Sequence, residues 1–145
     1  MSENLWFRNM LGIDVGAPPL PDEEMRMGFL ARYAEDSGKR LGALRLQDEA
    51  WWETEVKFFD VVRSRAWIIV RRIAHTAHHR GQQMAMLRML NRDLHSNYGP
   101  TADTGGLMQN QAPVIYAYPH VDAILADGTK SPLPGPGERP PTERP

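Results

Sequence analysis

The stretch that decides the fold is His75-Thr76-Ala77-His78-His79-Arg80-Gly81-Gln82-Gln83. At about 100° per residue in an α-helix, the side chains of His75 and His79 are about 40° apart and share one face. Their Cβ atoms are then about 5–6 Å apart, which lets two imidazole nitrogens reach one metal ion at about 2.0–2.1 Å. His78 is turned by about 100° from His79, so we do not expect it to join the same ion.

The residues around this stretch predict one long helix over residues 65–94, with Ser64 as its N-cap. No proline interrupts the span, and Asn97-Tyr98-Gly99-Pro100 follows it as a stop signal. Positions spaced 7, 4, 7 and 4 residues apart form a stripe of the kind that packs against neighbouring helices. We expect this stripe to be one shared buried face, made of Ile68, His75, His79, Met86 and Leu90.

Shorter helices are predicted before the long one. Residues 5–11 have the apolar spacing of the last turns of a helix that stops at Gly12. Pro21 suits a first helical turn, and the residues after it predict a helix over residues 22–45. Asp48 is placed to cap a short helix that carries Trp51, Trp52 and Val56. Two further segments are expected, a short apolar link over residues 58–62 and an extended segment over Val114–Tyr118.

The distribution of proline divides the chain. A length of 145 residues fits one domain. Six of the 12 prolines lie in residues 132–145, where the composition cannot build an apolar core. We therefore predict a helical domain over residues 1–128 and a flexible Pro/Gly-rich tail over residues 129–145.

The composition argues against several classes of protein. A net charge of −1 gives no electrostatic footprint for nucleic acid or an anionic membrane. No apolar run approaches the roughly 20 residues that a membrane-spanning helix needs. The absence of cysteine excludes disulfides, Cys-based zinc sites, iron–sulfur clusters and a thiol nucleophile, and it agrees with a cytoplasmic protein.

The two histidines of this stripe, His75 and His79, need at least one further group to hold a metal ion. Thr76 stands where a zincin peptidase carries its glutamate, so that class is disfavoured. The third ligand could come from an acid such as Glu3 or Asp60, from a displaced histidine or from a second subunit. The alternative is that His75 and His79 are core polar groups with hydrogen-bond partners inside the protein.

The predicted long helix is also strongly basic. Seven arginines and no acid lie between residues 63 and 92. One interpretation is charge balance, since residues 22–57 hold nine acids that could pair with these arginines. The other is that Arg72 or Arg80, the arginines nearest to the histidines, binds an anionic group of a substrate or cofactor.

A family resemblance emerges from these residues taken together. Trp67, the histidine stretch, Met86-Leu87-Arg88 and the turn Tyr98-Gly99-Pro100 resemble the DinB-like family of metalloenzymes, also called the YfiT-like superfamily. The similarity covers about residues 2–125. It implies an all-α fold, an up-down-down-up four-helix bundle that is often a homodimer. We expect this chain to be a shortened bundle that lacks the first helix, with about three main helices and a C-terminal extended segment.

The resemblance also implies a divalent metal ion, zinc or nickel, held by three histidines. The last helix supplies two of them, which correspond to His75 and His79, whereas residues 1–74 contain no histidine to match the third. Relatives with known activity use the metal to activate a low-molecular-weight thiol, as bacillithiol-type S-transferases and mycothiol-dependent maleylpyruvate isomerases do. We therefore expect a metal-dependent enzyme that transfers a thiol or an activated water to a small-molecule electrophile, with Arg80 or Arg72 holding an anionic group.

A non-catalytic interpretation stays open beside the enzyme. In it the chain is a helical dimerisation module, and His75 and His79 are a vestigial metal site. In either interpretation we expect residues 2–11 to be helical and to carry an exposed apolar flank where the missing helix would lie, and exposed flanks of this kind favour self-association.

Overall fold

A computed structural model describes residues 2–16, 20–106 and 108–135. This part of the chain is predominantly helical and contains one small two-stranded sheet. Two compact units divide it, Met1–His79 and Arg80–Pro145. None of the helices in the described ranges has both the length and the apolar character that a membrane crossing requires.

The first unit opens with α1 (Ser2–Trp6), which continues as a π-helical turn over Phe7–Leu11. The turn ends at Gly12, whose left-handed φ of 70° lets its N–H bond to the Phe7 carbonyl. The predicted helix stop at Gly12 is therefore confirmed. The expected apolar flank is wrong for most of its length: Leu5 is exposed, but Trp6, Phe7 and Leu11 are buried.

The second helix, α2, spans Arg26–Arg45 and begins four residues later than the predicted residue 22. Met25 has an extended backbone, with φ of −85° and ψ of 144°. Its N–H bonds back to the Glu23 carbonyl at 2.8 Å. The acidic residues 22–24 therefore precede the helix instead of forming its first turn.

A short capped helix and a hairpin follow. In α3 (Glu49–Glu53) the Asp48 carboxylate accepts the Trp51 N–H at 2.8 Å, as predicted. The placement of Val56 in this helix is wrong, because β1 (Glu55–Phe58) pairs antiparallel with β2 (Val61–Ser64). The predicted apolar link over residues 58–62 is thus the turn of a hairpin, where β-branched and aromatic side chains favour strands.

The long helix, α4, spans Arg65–Met89 and passes through Gly81 without a break. Its predicted start is confirmed, and the Ser64 hydroxyl accepts the Trp67 N–H at 3.3 Å.

The end of α4 comes five residues before the predicted residue 94. Asn91 takes a left-handed φ of 53°. Its N–H bonds to the Arg88 carbonyl and the Arg92 N–H to the Leu87 carbonyl, both at 2.9 Å. This pair of hydrogen bonds is the Schellman motif, which closes a helix.

The predicted buried face of α4 is correct only near the start of the helix. Ile68 is fully buried and His75 half-buried, whereas His79 is exposed and Met86 and Leu90 are 60% and 68% exposed. The core that covers Ile68 is built from Trp6, Phe7 and Leu11. These residues pack against the first turns of α4. The apolar periodicity of the sequence therefore extends further along the helix than the buried part of its face.

The second unit consists, after α4, of short helices and irregular segments. Thr101 caps a 3₁₀ turn over Ala102–Thr104, and α5 spans Val121–Leu125. The expected extended segment Val114–Tyr118 forms no strand, although the Ile115 carbonyl and N–H both bond to Ser96. Residues 128–135 are irregular, and the rest of the predicted tail, residues 136–145, lies outside the described residues.

Candidate metal centre

His75 and His79, the two histidines of the stripe, contact each other as their spacing on α4 predicts. Their Nε2 atoms are 3.0 Å apart, and their ring centroids are 4.5 Å apart at an interplanar angle of 69°. Two nitrogen ligands of one tetrahedral or octahedral ion, each at roughly 2.0–2.1 Å from it, are themselves roughly 3 Å apart. The arrangement of His75 and His79 therefore fits either one shared ion or one Nε2–H···Nε2 hydrogen bond between neutral rings.

The electrostatic surroundings of His75 favour its neutral form. Burial lowers the pKa of the His75 imidazole, and electrostatic interactions with His79, Arg72, Arg71 and His78 lower it further. A metal ion binds the neutral imidazole, so the lowered pKa leaves His75 in the form that ligation requires.

One side of His75 is covered by an aromatic wall. The Trp6 ring lies 5.8 Å from the His75 ring, with the two planes tilted by 48°. The guanidinium of Arg72 lies 5.8 Å from the same Trp6 ring in a cation–π contact. Trp6 therefore connects the histidine pair to the charged interior of the first unit.

Arg72, a predicted anion-binding residue, is held by an anion of the protein itself. Its Nη2 lies 3.5 Å from Oε2 of Glu3 in an ion pair that is largely shielded from solvent. The same carboxylate accepts the Tyr33 hydroxyl at 3.2 Å and an N–H of Arg40 at 3.0 Å. Glu3, which was a candidate third ligand, is thus occupied by two arginines and a tyrosine.

This charged network lies deeper than the histidines. Arg40 is only 3% exposed and also forms an ion pair with buried Asp36 at 3.8 Å and donates to the side chain of Asn4. Oδ1 of Asp36 and Nε of Arg40 are buried without a hydrogen-bond partner. Burial and the negative charge of Glu3 raise the pKa of the Tyr33 phenol. Sequence reasoning missed this network, and the only local signal for it was the Asp36–Arg40 spacing of four residues.

Arg80, the other predicted anion-binding residue, belongs to the second unit. Its guanidinium lies 5.0 Å from the Tyr98 ring in a cation–π contact. In the same unit Arg88 forms a two-point contact with Asp103 Oδ2, at 2.6 Å and 3.0 Å. Arg72 and Arg88 therefore pair with Glu3 and Asp103, acids outside residues 22–57, which differs from the charge balance that the sequence predicts.

The remaining histidines have other roles or positions. His78 is exposed, with its ring centroid 5.2 Å from that of His79. His95 bonds through Nε2 to the Ser131 carbonyl at 2.8 Å, and His120 caps α5 through its side chain. Within residues 2–16, 20–106 and 108–135, no group of three or more His, Asp or Glu side chains is arranged to hold a metal ion.

Comparison with protein-family models, with curated proteins and with solved structures gives no match.

Proposed function

We propose that this chain is a DinB-like metal-binding protein in which His75 and His79 hold one divalent ion, zinc or nickel. The observation that carries the proposal is the 3.0 Å separation of the two Nε2 atoms, combined with surroundings that keep the His75 imidazole neutral. Both nitrogens come from adjacent turns of one helix, so the pair is formed by local geometry alone.

The chemistry of the proposed site follows from its donors. His75 and His79 would hold the divalent ion, which would supply Lewis-acid activation of a thiol or a water for transfer to a small electrophile. His75 and His79 bind in their neutral form and leave the remaining coordination positions to exogenous ligands. The exposure of His79 keeps the pair accessible to a small-molecule substrate.

Further parts of the proposal concern the assembly. We place the chain in a cytoplasmic homodimer with the four-helix-bundle fold of the DinB-like family, in which a group of the second subunit supplies a third ligand beside the exogenous ones. The two apolar side chains Val70 and Ile73 support self-association, because each is 65% exposed on α4. Arg80 remains the candidate for an anionic group, since Arg72 already pairs with Glu3.

Calorimetric titration with zinc and with nickel tests the metal site on three proteins. The parent chain is expected to bind one ion, His79→Ala to bind none, and His78→Ala to bind as the parent does. His78 is the matched control because it has the same chemistry one position earlier on the helix. Equal losses in the two variants would show that the pair is wrongly assigned.

A second candidate function is a non-catalytic helical module, and the ligand count favours it. The described residues offer two histidines but no third acidic or histidine ligand beside them. Metal analysis of protein purified without an affinity tag separates the two candidates. A chain that is free of metal, does not bind zinc or nickel and forms dimers in light scattering would be the helical module.

A further inference from the structure

Trp6 contacts both His75 and the core of the first unit. Its ring is 5.8 Å from His75, 5.8 Å from the Arg72 guanidinium and 5.2 Å from Phe58. It is 9% exposed, and it is the last residue of α1 before the π-helical turn. Its contacts on several sides leave the indole little room to move.

We propose that Trp6 is a positioning residue for His75, and this inference rests on the proposed metal-binding function. A half-buried histidine on a helix has several side-chain rotamers, and only some of them direct Nε2 toward His79. The indole lies beside the imidazole, at 5.8 Å between ring centroids, and so limits the space open to it on that side. His75 is thereby held between Trp6 on one side and His79 on the other.

The wall is itself anchored by the charged network. Arg72 covers Trp6 with its guanidinium, and Glu3 holds Arg72 at 3.5 Å. Glu3 is in turn fixed by buried Arg40 at 3.0 Å. The order of contacts Glu3–Arg72–Trp6–His75 therefore links a buried ion-pair network to the orientation of one proposed ligand. Groups that orient a metal ligand through a hydrogen bond are worth about 10–100-fold in metal affinity, and we expect the ring contact of Trp6 to act at the lower end of that range.

The test compares zinc affinity in two substitutions of Trp6. Trp6→Phe keeps a planar ring, whereas Trp6→Met fills the core with a flexible chain that offers no rigid wall. Zinc titration is expected to give a Kd about tenfold weaker for Trp6→Met and a smaller loss for Trp6→Phe. Trp51→Leu is the control, because Trp51 packs against the same core and contacts Arg65 and Trp52.

The Trp51→Leu control distinguishes a loss of His75 positioning from a loss of fold stability. Thermal unfolding is measured for each variant, and Trp51→Leu is expected to lower Tm while its zinc Kd stays at the parental value. A folded Trp6→Met variant with the parental Kd would overturn the inference. An equal loss of affinity in Trp51→Leu would do the same, because it would trace the effect to stability.

A measurement on the parent chain decides the inference if that chain binds neither zinc nor nickel, a result that would overturn the proposed function. Nitrogen-15 and proton NMR of the histidine rings in the parent is expected to show one fixed tautomer of His75 and an Overhauser contact with the Trp6 indole. An averaged tautomer in the parent, or no contact between the two rings, would overturn the inference. This arm also applies if Trp6→Met fails to fold, because it needs only the parent.

Discussion

The two halves of α4 share one pattern of apolar residues and differ in what covers them. In the first half Ile68 is fully buried, and in the second half Met86 and Met89 are 60% and 83% exposed. The helix is continuous through both halves, so its geometry is the same. The difference teaches that helical spacing determines which residues share a face, while burial depends on the element that packs against that face.

The largest expected effect comes from shortening one apolar side chain in each half. Ile68→Ala is expected to lower the free energy of unfolding by about 2–5 kcal/mol, because it leaves a cavity in the core. Met86→Ala is expected to change it by less than about 0.5 kcal/mol, since the side chain is mostly in water. Urea unfolding followed by circular dichroism measures both. Similar losses in the two variants would mean that the halves are equally buried.

The second prediction compares an ion pair from each unit. Glu3→Gln is expected to lower the free energy of unfolding by about 2–4 kcal/mol, because it removes the counter-charge of Arg72 and leaves buried Arg40 with only its longer ion pair to Asp36. Asp103→Asn is expected to lower it by about 0.5–1 kcal/mol, since Arg88 is 43% exposed. Denaturant unfolding at low and at high salt measures the loss of unfolding free energy in each variant. A Glu3→Gln loss no larger than that of Asp103→Asn would show that the network around Glu3 is not an interior one.

The third prediction concerns pH and the first half of α4. The pKa of His75 is lowered in the folded state, so below about pH 6.5 the unfolded chain binds more protons than the folded one. Stability is therefore expected to fall as the pH drops from about 6.5 through the lower folded pKa. Urea midpoints measured across this range should decline less steeply in His75→Gln. His78→Gln is the matched control, and an identical flattening in it would contradict the assignment to His75.

The smallest expected effect concerns Asn91, which closes the C-terminal end of α4. Asn91 has a φ of 53°, a conformation that costs glycine almost nothing. Asn91→Gly is expected to raise the free energy of unfolding by about 0.5–1 kcal/mol, and Asn91→Ala to lower it. Thermal unfolding measures the sign. Destabilisation by glycine would show that the Schellman end is not formed in solution.

The features that the sequence predicted correctly depend on neighbouring residues. The His75–His79 pair, the cap at Asp48, the stop at Gly12 and the start of α4 after Ser64 are each formed within one turn of helix. Such geometry follows from the backbone alone, so spacing was sufficient to predict it. The class of the fold, predominantly helical, follows from the same local patterns.

The features that were missed depend on distant residues or on competing local preferences. Arg40 meets Glu3 across 37 positions of sequence, and no spacing rule predicts such a pair. The sequence analysis placed Val56 in a helix because Trp52 and Val56 are four residues apart. The strand propensity of the β-branched and aromatic residues favoured the hairpin that the structure contains. Asn91 was a visible signal for the end of α4, but the uninterrupted pattern beyond it suggested a longer helix.

The hairpin has a consequence for the behaviour of the chain in concentrated solution. In the part of the chain that the structure describes, the sheet stops at two strands, so backbone N–H and C=O groups at a strand edge can pair with another molecule. The exposed charges Glu55, Lys57 and Arg63 punctuate these strands and oppose such stacking. Charged residues of this kind act as gatekeepers against aggregation, and here Glu55 and Lys57 alternate with apolar residues along β1.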